Sequence, residues 1–435
     1  MSVRLRHLVD LAPRPHRRLP EDLPVSFAPM DALKNGLGGL GEMDVRPCGD
    51  LAKGSYNFFA NGDILLAKVT PCFENGKKAL TADLENGMGF ATSEVHVVRP
   101  RRGKIDSRFL LYLFSSEEFR AECMATMTGS GGLRRVSESA ILNHRPTVTD
   151  PKAQKAIANF LDRETARIHQ LIEKKERLSV IIDLRRIAVI TAAVGGDIGP
   201  AAKAIDHSTS DHQARLRFML EVAPSAQEIE NLTAEDDVTF APMDSLFDGL
   251  GGLDATRSRP LGEVSSGSYN YFRNGDILLA KVTPCFENGK KALAGNLING
   301  VGYATSEVHV FRASPNKLDA RFLIYLLSSE DFRAEGMKSM TGSGGLKRVG
   351  DAAVLNYRPK IGNVDLQRKV ADFLDGEMSA FEAIKGRTKV SIDKLQEYRA
   401  ALITAAVTGQ INIATYGRRG TTDRALDRIE AEMDA

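Results

Sequence analysis

Tryptophan is absent from the 435 residues, and cysteine occurs only four times, at Cys48, Cys72, Cys123 and Cys285. No two cysteines form a Cys-x-x-Cys pair, so neither a zinc site nor a disulfide framework is expected; reduced thiols in a cytoplasmic protein are the simpler reading. No apolar run reaches the roughly 18 residues that would cross a membrane. Net charge is scarce too, at +2 from 58 Lys and Arg against 56 Asp and Glu. An anionic partner would therefore have to meet a local patch and not a basic molecule. The common signatures of catalysis are missing as well: there is no GxxxxGK[ST] phosphate loop, no HExxH and no GxSxG nucleophile elbow. The glycine-rich "GLGGLG" at Gly36–Gly41 lacks the preceding strand and following helix of a dinucleotide site, and reads as a surface turn.

What is present is a duplication. "GDILLAKVTPCFENGKKAL" at Gly62–Leu80 recurs without a substitution at Gly275–Leu293, 213 residues later. The same offset relates "FAPMD" at Phe27 to Phe240, "GLGGL" at Gly36 to Gly249, "GSYN" at Gly54 to Gly267 and "ATSEVHV" at Ala91 to Ala304. It also relates "TGSGGL" at Thr128 to Thr341 and "ITAAV" at Ile190 to Ile403. Near the start of each copy the offset is 211, a two-residue difference falling between about residues 13 and 24. A period above 200 residues is too long for a solenoid, whose units run about 20–50 residues, so this is a duplicated domain pair. The arginine-rich opening (Arg4, Arg6, Arg14, Arg17, Arg18) could suggest a transit peptide, but "RLRHLVDLAP" returns in mid-chain as "RLRFMLEVAP" at Arg215–Pro224 and is read as part of the fold.

Each copy has two parts. The first is a mixed α+β globule with short strands: the compact apolar run Ile64–Val69, a loop over Thr70–Gly76 closing on Asn75-Gly76, and a strand over Val95–Arg99. Arg108–Met124 is predicted to be one helix with Phe109, Leu110, Leu113 and Phe119 on its apolar face. The second part is a long helix, from Pro151 to Val194 and again from Asp365 to Val407. Phe160, Leu161 and Ile168, and their equivalents Phe373, Leu374 and Phe381, are its packing residues. A helix of about 40 residues is about 60 Å long, too long for one small core to cover, so the two helices are expected to pair as a short coiled coil whose phase Lys175 and Arg186 interrupt. The organisation that follows is an arm (1–20), a globule (21–150), a helix (151–194), a linker (195–213), a second globule (214–363), a second helix (364–407) and a polar tail (408–435), with a possible helix in Thr422–Met433.

No catalytic residue is assigned. Asp63, Glu74 and Lys77 are the residue types of a metal-dependent nuclease, as are Asp276 and Glu287 in the second copy. Such sites place acid and lysine at alternate strand positions, whereas here the spacing crosses an Asn-Gly turn. His96 and His309, flanked by valines, read as packed side chains. No metal site is expected. The polar set fits recognition better. Lys68, Lys77, Lys78, Arg134 and Arg135 offer phosphate contacts, as do Lys281, Lys290, Lys291, Lys347 and Arg348. Ser55, Tyr56, Asn57, Glu74 and Asn75, with Ser268, Tyr269, Asn270, Glu287 and Asn288, carry donors and acceptors able to read base edges. Against this stand the blander reading of solvated hairpin ends and the balance of residues 20–150, which hold 15 Lys and Arg against 17 Asp and Glu.

The layout of globule, long helix, globule and long helix resembles the specificity subunit of type I restriction–modification systems. "NGDILLAKVTPCFENGKKAL" is similar to that family's target-recognition strand and loop. "QKAIANFLDRETARIHQLIEKKERL" at Gln154–Leu178 and "QRKVADFLDGEMSAFEAIKGRTKVSI" at Gln367–Ile392 look like the starts of its spacer helices. The Cys-Phe-Glu-Asn loop is a variant of a region that differs widely in the family, so base contacts are not carried across. The resemblance implies a non-catalytic DNA-binding subunit with a pseudo-two-fold repeat, its helices packing antiparallel as a ruler between two DNA half-sites. It implies two modification subunits that methylate adenine with S-adenosylmethionine, restriction subunits that join them, and no cofactor on this chain. Alternatives are the recognition subunit of another restriction type with a fused nuclease–methyltransferase partner, a stand-alone nuclease, and a coiled-coil adaptor.

Overall fold

An apolar run without polar alternation, such as Ile64-Leu65-Leu66-Ala67, suits a strand covered on both faces, and the computed structural model covers both. It describes residues 3–15, 17–37, 39–130, 132–147, 150–196, 214–226, 229–342, 345–413 and 416. The chain divides into two compact units, Met1–Glu176 with Lys389–Ala435, and Arg177–Thr388.

Unit one opens with β1 (Val9–Leu11), β2 (Pro24–Ala28), β3 (Asp44–Pro47), α1 (Cys48–Ala52), β4 (Asn57–Ala60), β5 (Ile64–Ala67) and β6 (Lys78–Leu80). It continues with β7 (Met88–Ala91), β8 (Val95–Pro100), α2 (Ser107–Leu113), α3 (Glu117–Ala125), β9 (Thr128–Ser130), β10 (Leu133–Arg135) and α4 (Glu138–Asn143), then enters α5 (Pro151–Gly195). One sheet has the order β1-β8-β5-β6 and is antiparallel; the other, β3-β2-β7-β4, has β2 and β7 parallel. Within β5, Ile64 and Leu66 join Phe109, Leu110, Leu113 and Phe119 of α2 and α3, while Leu65 joins Phe59, Ala91 and Val97. The strand is apolar throughout because it is wedged between these two cores.

The single helix expected over Arg108–Met124 is two helices. Ser116 ends the first by donating to the Leu113 carbonyl at 2.7 Å and caps the second by accepting from the Phe119 amide. With Glu117 and Glu118 following, this is an N-terminal capping sequence inside an otherwise periodic run.

Unit two repeats the plan with β11 (Leu220–Val222), β12 (Asp237–Ala241), β13 (Ser258–Pro260), α6 (Leu261–Ser265), β14 (Tyr269–Arg273), β15 (Ile277–Ala280) and β16 (Lys291–Leu293). After these come β17 (Val301–Thr305), β18 (Val308–Ala313), α7 (Ala320–Leu326), α8 (Glu330–Lys338), α9 (Asp351–Asn356) and the entry to α10 (Val364–Val407). Its sheets, β11-β18-β15-β16 and β13-β12-β17-β14, match those of unit one strand for strand.

Each unit contains part of both long helices. In unit one Phe160, Leu161, Ile168 and Ile172 of α5 share a core with Leu395, Leu402, Ile403 and Val407 of α10. In unit two Ile182, Ile190 and Val194 share one with Leu366, Leu374 and Phe381, and Phe373 packs half-buried at its edge. There Asp183 pairs with Lys385 at 2.7 Å and Arg186 with Glu382 at 2.8 Å, so the helices run antiparallel. Arg186 interrupts the apolar phase because it reaches across to a carboxylate. The compact units are therefore not the two sequence copies: each globule packs on the start of its own helix and on the end of the other copy's.

The helix-start motif has a structural explanation. Gln154 is buried and accepts from the Asp106 amide at 3.0 Å; Gln367 does the same for Asp319 at 2.8 Å. Two turns further along, Asp162 accepts from the Tyr112 hydroxyl at 2.8 Å and Asp375 from Tyr325 at 2.6 Å. Gln and Asp thus bolt each helix to the globule before it. The tail departs from its polar reading: Ile411, Ile413 and Tyr416 pack on the core of unit one, Tyr416 edge-on to Phe160 at 4.9 Å. Residues 197–213 of the linker and the proposed terminal helix Thr422–Met433 lie outside the described residues. No helix among the described residues is long and apolar enough to cross a membrane.

Candidate nucleic-acid interface

The repeated segment supplies β5, a loop and β6. Phe73 plugs the loop into the core at 2% exposure, as Phe286 does in unit two. Loop amides of Asn75, Gly76 and Lys77 bond back to Pro71, Phe73 and Cys72 at 2.9–3.0 Å. In unit two a Cβ on Gly289 would stand 3.1 Å from the Gly249 oxygen, and its φ of +76° is one that glycine alone adopts without strain, so the glycine is required where two loops touch.

Lys78 and Lys291 sit under those loops and correct the reading of them as phosphate contacts. They are 2% and 0% exposed. The Lys78 amine donates to the Gly36 and Gly76 carbonyls, both at 3.2 Å, and the Lys291 amine to Gly249 at 2.5 Å and Gly289 at 3.2 Å. Burial pushes both amines down to about 7, with Arg120 and Arg399 beside the first and Arg333 and Arg186 beside the second adding repulsion. These lysines tie the glycine turn to the loop that joins β5 to β6, and β15 to β16 in unit two. Lys77 and Lys290 are half-buried, donating to the Met30 carbonyl at 3.3 Å and the Met243 carbonyl at 3.2 Å.

Thr70 joins the loop to the β9–β10 hairpin. Its amide donates to the Arg134 carbonyl at 3.0 Å, its hydroxyl donates to the Gly132 carbonyl at 3.0 Å and accepts from the Arg134 amide at 3.0 Å. Thr283 repeats the arrangement with Lys347 and Gly345. His96 supports the hairpin from below, its Nε2 2.9 Å from the Val136 carbonyl; His309 meets Val349 at 3.0 Å. Burial holds both imidazoles below their usual range.

This anchoring gathers one polar surface per unit. Arg134 stands 3.6 Å from Glu74, and Arg135 grips Glu94 through two bonds of 3.1 Å, which hold the Glu94 carboxyl below its usual range. In unit two Arg348 grips Glu307 at 2.8 and 2.9 Å, Lys347 is exposed, and Lys281 donates to the Ser306 carbonyl at 2.8 Å. Lys68 is half-buried beside Glu94, while Asn75, Glu287 and Asn288 are exposed at the loop tips. Glu94 and Glu307 were missed in the sequence, although the repeated "ATSEVHV" contains them.

Ser55, Tyr56 and Asn57 form a separate group. Asn57 is structural: it donates to the Val95 carbonyl at 2.8 Å, and Asn270 donates to Val308 at 2.7 Å. Tyr56 and Tyr269 lie edge-on to Phe27 and Phe240 at 5.2 and 5.3 Å, and Arg46 and Arg259 cover those phenylalanines from 4.3 and 4.2 Å. Ser55 and Ser268 are exposed. The two groups meet at Glu94–Val95. The acids of the nuclease reading are not brought together: Asp63 is 1% exposed and bound by Arg99 through two bonds of 2.7 Å, and Asp276 by Arg312 at 2.7 and 2.9 Å. Among the described residues no group of three or more His, Cys, Asp or Glu could hold a metal ion.

Comparison with solved structures places this architecture. The chain aligns over 94% of its length with the HsdS subunit from Thermoanaerobacter tengcongensis (TM-score 0.54, 16% identity, 97% of that chain). It aligns equally far with a chain from a structure addressing complex assembly and conformational transition of the type I R-M system (TM-score 0.66, 15% identity, 98% of that chain). The fold is that of a type I specificity subunit. In sequence, the chain is similar to the EcoAI type I restriction enzyme specificity subunit of Escherichia coli, at 44% identity over 112 residues, and to the EcoEI specificity subunit of the same organism, at 32% over 219. Those matches cover 26% and 49% of this chain but only 19% and 36% of the relatives' own lengths. No family model matches the chain.

Proposed function

We propose that this chain is the DNA-reading subunit of a cytoplasmic type I restriction–modification complex, without catalytic activity of its own. Each unit reads one half of a bipartite double-stranded target. The paired helices set the spacing between the halves and dock two modification subunits, on which S-adenosylmethionine binds for adenine methylation; restriction subunits join that assembly. The observation that carries this reading is the recurrence, once per unit, of the same hairpin and loop surface fastened by Thr70 or Thr283, in a fold shared with type I specificity subunits.

Because the two surfaces match, the halves of the target form an inverted repeat or nearly so. Departures are expected where the copies differ, as at Asp44 against Arg257 and Lys53 against Ser266. Methylome sequencing of a host expressing the chain with its modification subunit tests this. The expected result is methylated adenine in a gapped, near-palindromic motif; a motif with unrelated halves overturns the symmetry, and no motif overturns the reading.

A further inference from the structure

The copies part most sharply just before their second strand. In unit one, Pro13–Pro24 carries Arg14, Arg17 and Arg18; in unit two, Pro224–Asp237 has no Lys or Arg and five carboxylates. In unit two this stretch lays Ala226, Ile229 and Leu232 on the sheet face formed by Tyr271 and Tyr303. In unit one the equivalents of those tyrosines are Phe58 and Phe90; Leu19 and Leu23 still pack against that cluster, but beside them a cavity of about 600 Å³ opens. That volume lies within the range of small-ligand pockets.

Its walls combine two chemistries. Tyr56, Phe58 and Phe90 line one side, the two phenylalanines edge-to-face at 5.7 Å. Arg14, Arg18 and Lys53 stand at the other, with Glu21 between them, 3.8 Å from Arg18 and 3.2 Å from Lys53. The Arg18 and Lys53 side chains are 92% and 71% exposed, so both keep donors free for a ligand. Aromatic faces offer stacking to a flat ring, the cations complement a phosphate, and a carboxylate accepts from an amino or hydroxyl group.

The geometry points to a nucleotide-binding site in unit one, with the base against Phe58 and Tyr56 and the phosphate at Arg14, Arg18 and Lys53. It stands independently of duplex recognition, because a single nucleotide fills it. The nucleotide comes either free or as one residue of an unpaired strand.

Calorimetric titration of the full chain with AMP, and separately with a short oligodeoxyadenylate, tests the assignment. Two variants accompany the parent, each borrowing the character of unit two. In R14S/R18S/K53S only exposed cations change, so folding is not at issue; in F58Y/F90Y the tyrosines are those that unit two already accommodates. The expected result is binding to the parent that weakens about tenfold or more in the triple variant and measurably in the double variant. Binding of AMP identifies a free nucleotide as a sufficient ligand, and binding of the strand alone identifies nucleic acid as the source. Absence of binding to both probes, or affinities unchanged in the triple variant, overturns the site.

Discussion

The same helix pairing is bridged by ion pairs in unit two but not at the equivalent positions in unit one. Where Asp183–Lys385 and Arg186–Glu382 bridge the helices of unit two, the equivalent positions in unit one hold Gln396 with Ile172 and Arg399 with His169. Ile172 is 6% exposed and belongs to the core, whereas the Lys385 side chain is 28% exposed. One backbone arrangement thus accepts either chemistry at its rim. The positions kept chemically identical are different in kind: Asp63 with Arg99, Lys78, Thr70 and Gln154 each satisfy several buried polar groups at once, so a lone change at one strands the others.

Five substitutions sharpen this contrast. The largest effect is expected from Arg99→Met, which leaves the Asp63 carboxylate buried without its guanidinium and costs about 3–5 kcal/mol. Arg312→Met should cost at least as much, since its side chain is 15% exposed against 24% for Arg99. Urea unfolding, resolved by hydrogen exchange within each unit, measures both; losses below those of ordinary surface changes would remove the argument. Next comes Ile172→Ala, expected to cost about 2–5 kcal/mol as a core truncation, against less than about 1 kcal/mol for Lys385→Ala at a partly exposed ion pair. Equal losses by the same measurement would mean that the two junctions are not chemically distinct. Lys78→Met is expected to cost about 1–3 kcal/mol, for the carbonyls it leaves without a donor. Its effect also depends on pH. The folded amine titrates near 7 and the unfolded one near 10.5, so between those values the unfolded chain binds more protons and stability rises with pH. The deficit of Lys78→Met relative to the parent should therefore be smaller at pH 7 than at pH 9; a constant deficit would show that the amine is not held neutral.

Much of the fold is legible in the chain. The 213-residue offset identifies the duplication, periodicity identifies both long helices, and Gln154 and Gln367 mark their starts. The break at Ser116 was masked because its capping sequence lies in a run whose apolar residues still recur at helical spacing. The candidate site was legible in composition but not in role. Lys77 and Lys78 look alike as neighbouring cations, yet Lys78 points into the globule and Lys77 lies half-buried against Met30. Asn57 looks like a base reader and closes a strand edge; Glu94 went unremarked and holds Arg135.

By itself the sequence determined the duplication, the succession of globule and helix, and the absence of the usual catalytic motifs, because repeats and periodicity are local properties of the chain. Only the tertiary structure decided which cations remain available and that each compact unit borrows helix from the other copy. It also decided that an aromatic cavity opens in one unit while apolar side chains cover its counterpart. Those outcomes depend on contacts between residues far apart in the chain, where burial sets whether a charge meets solvent, a carbonyl or a carboxylate.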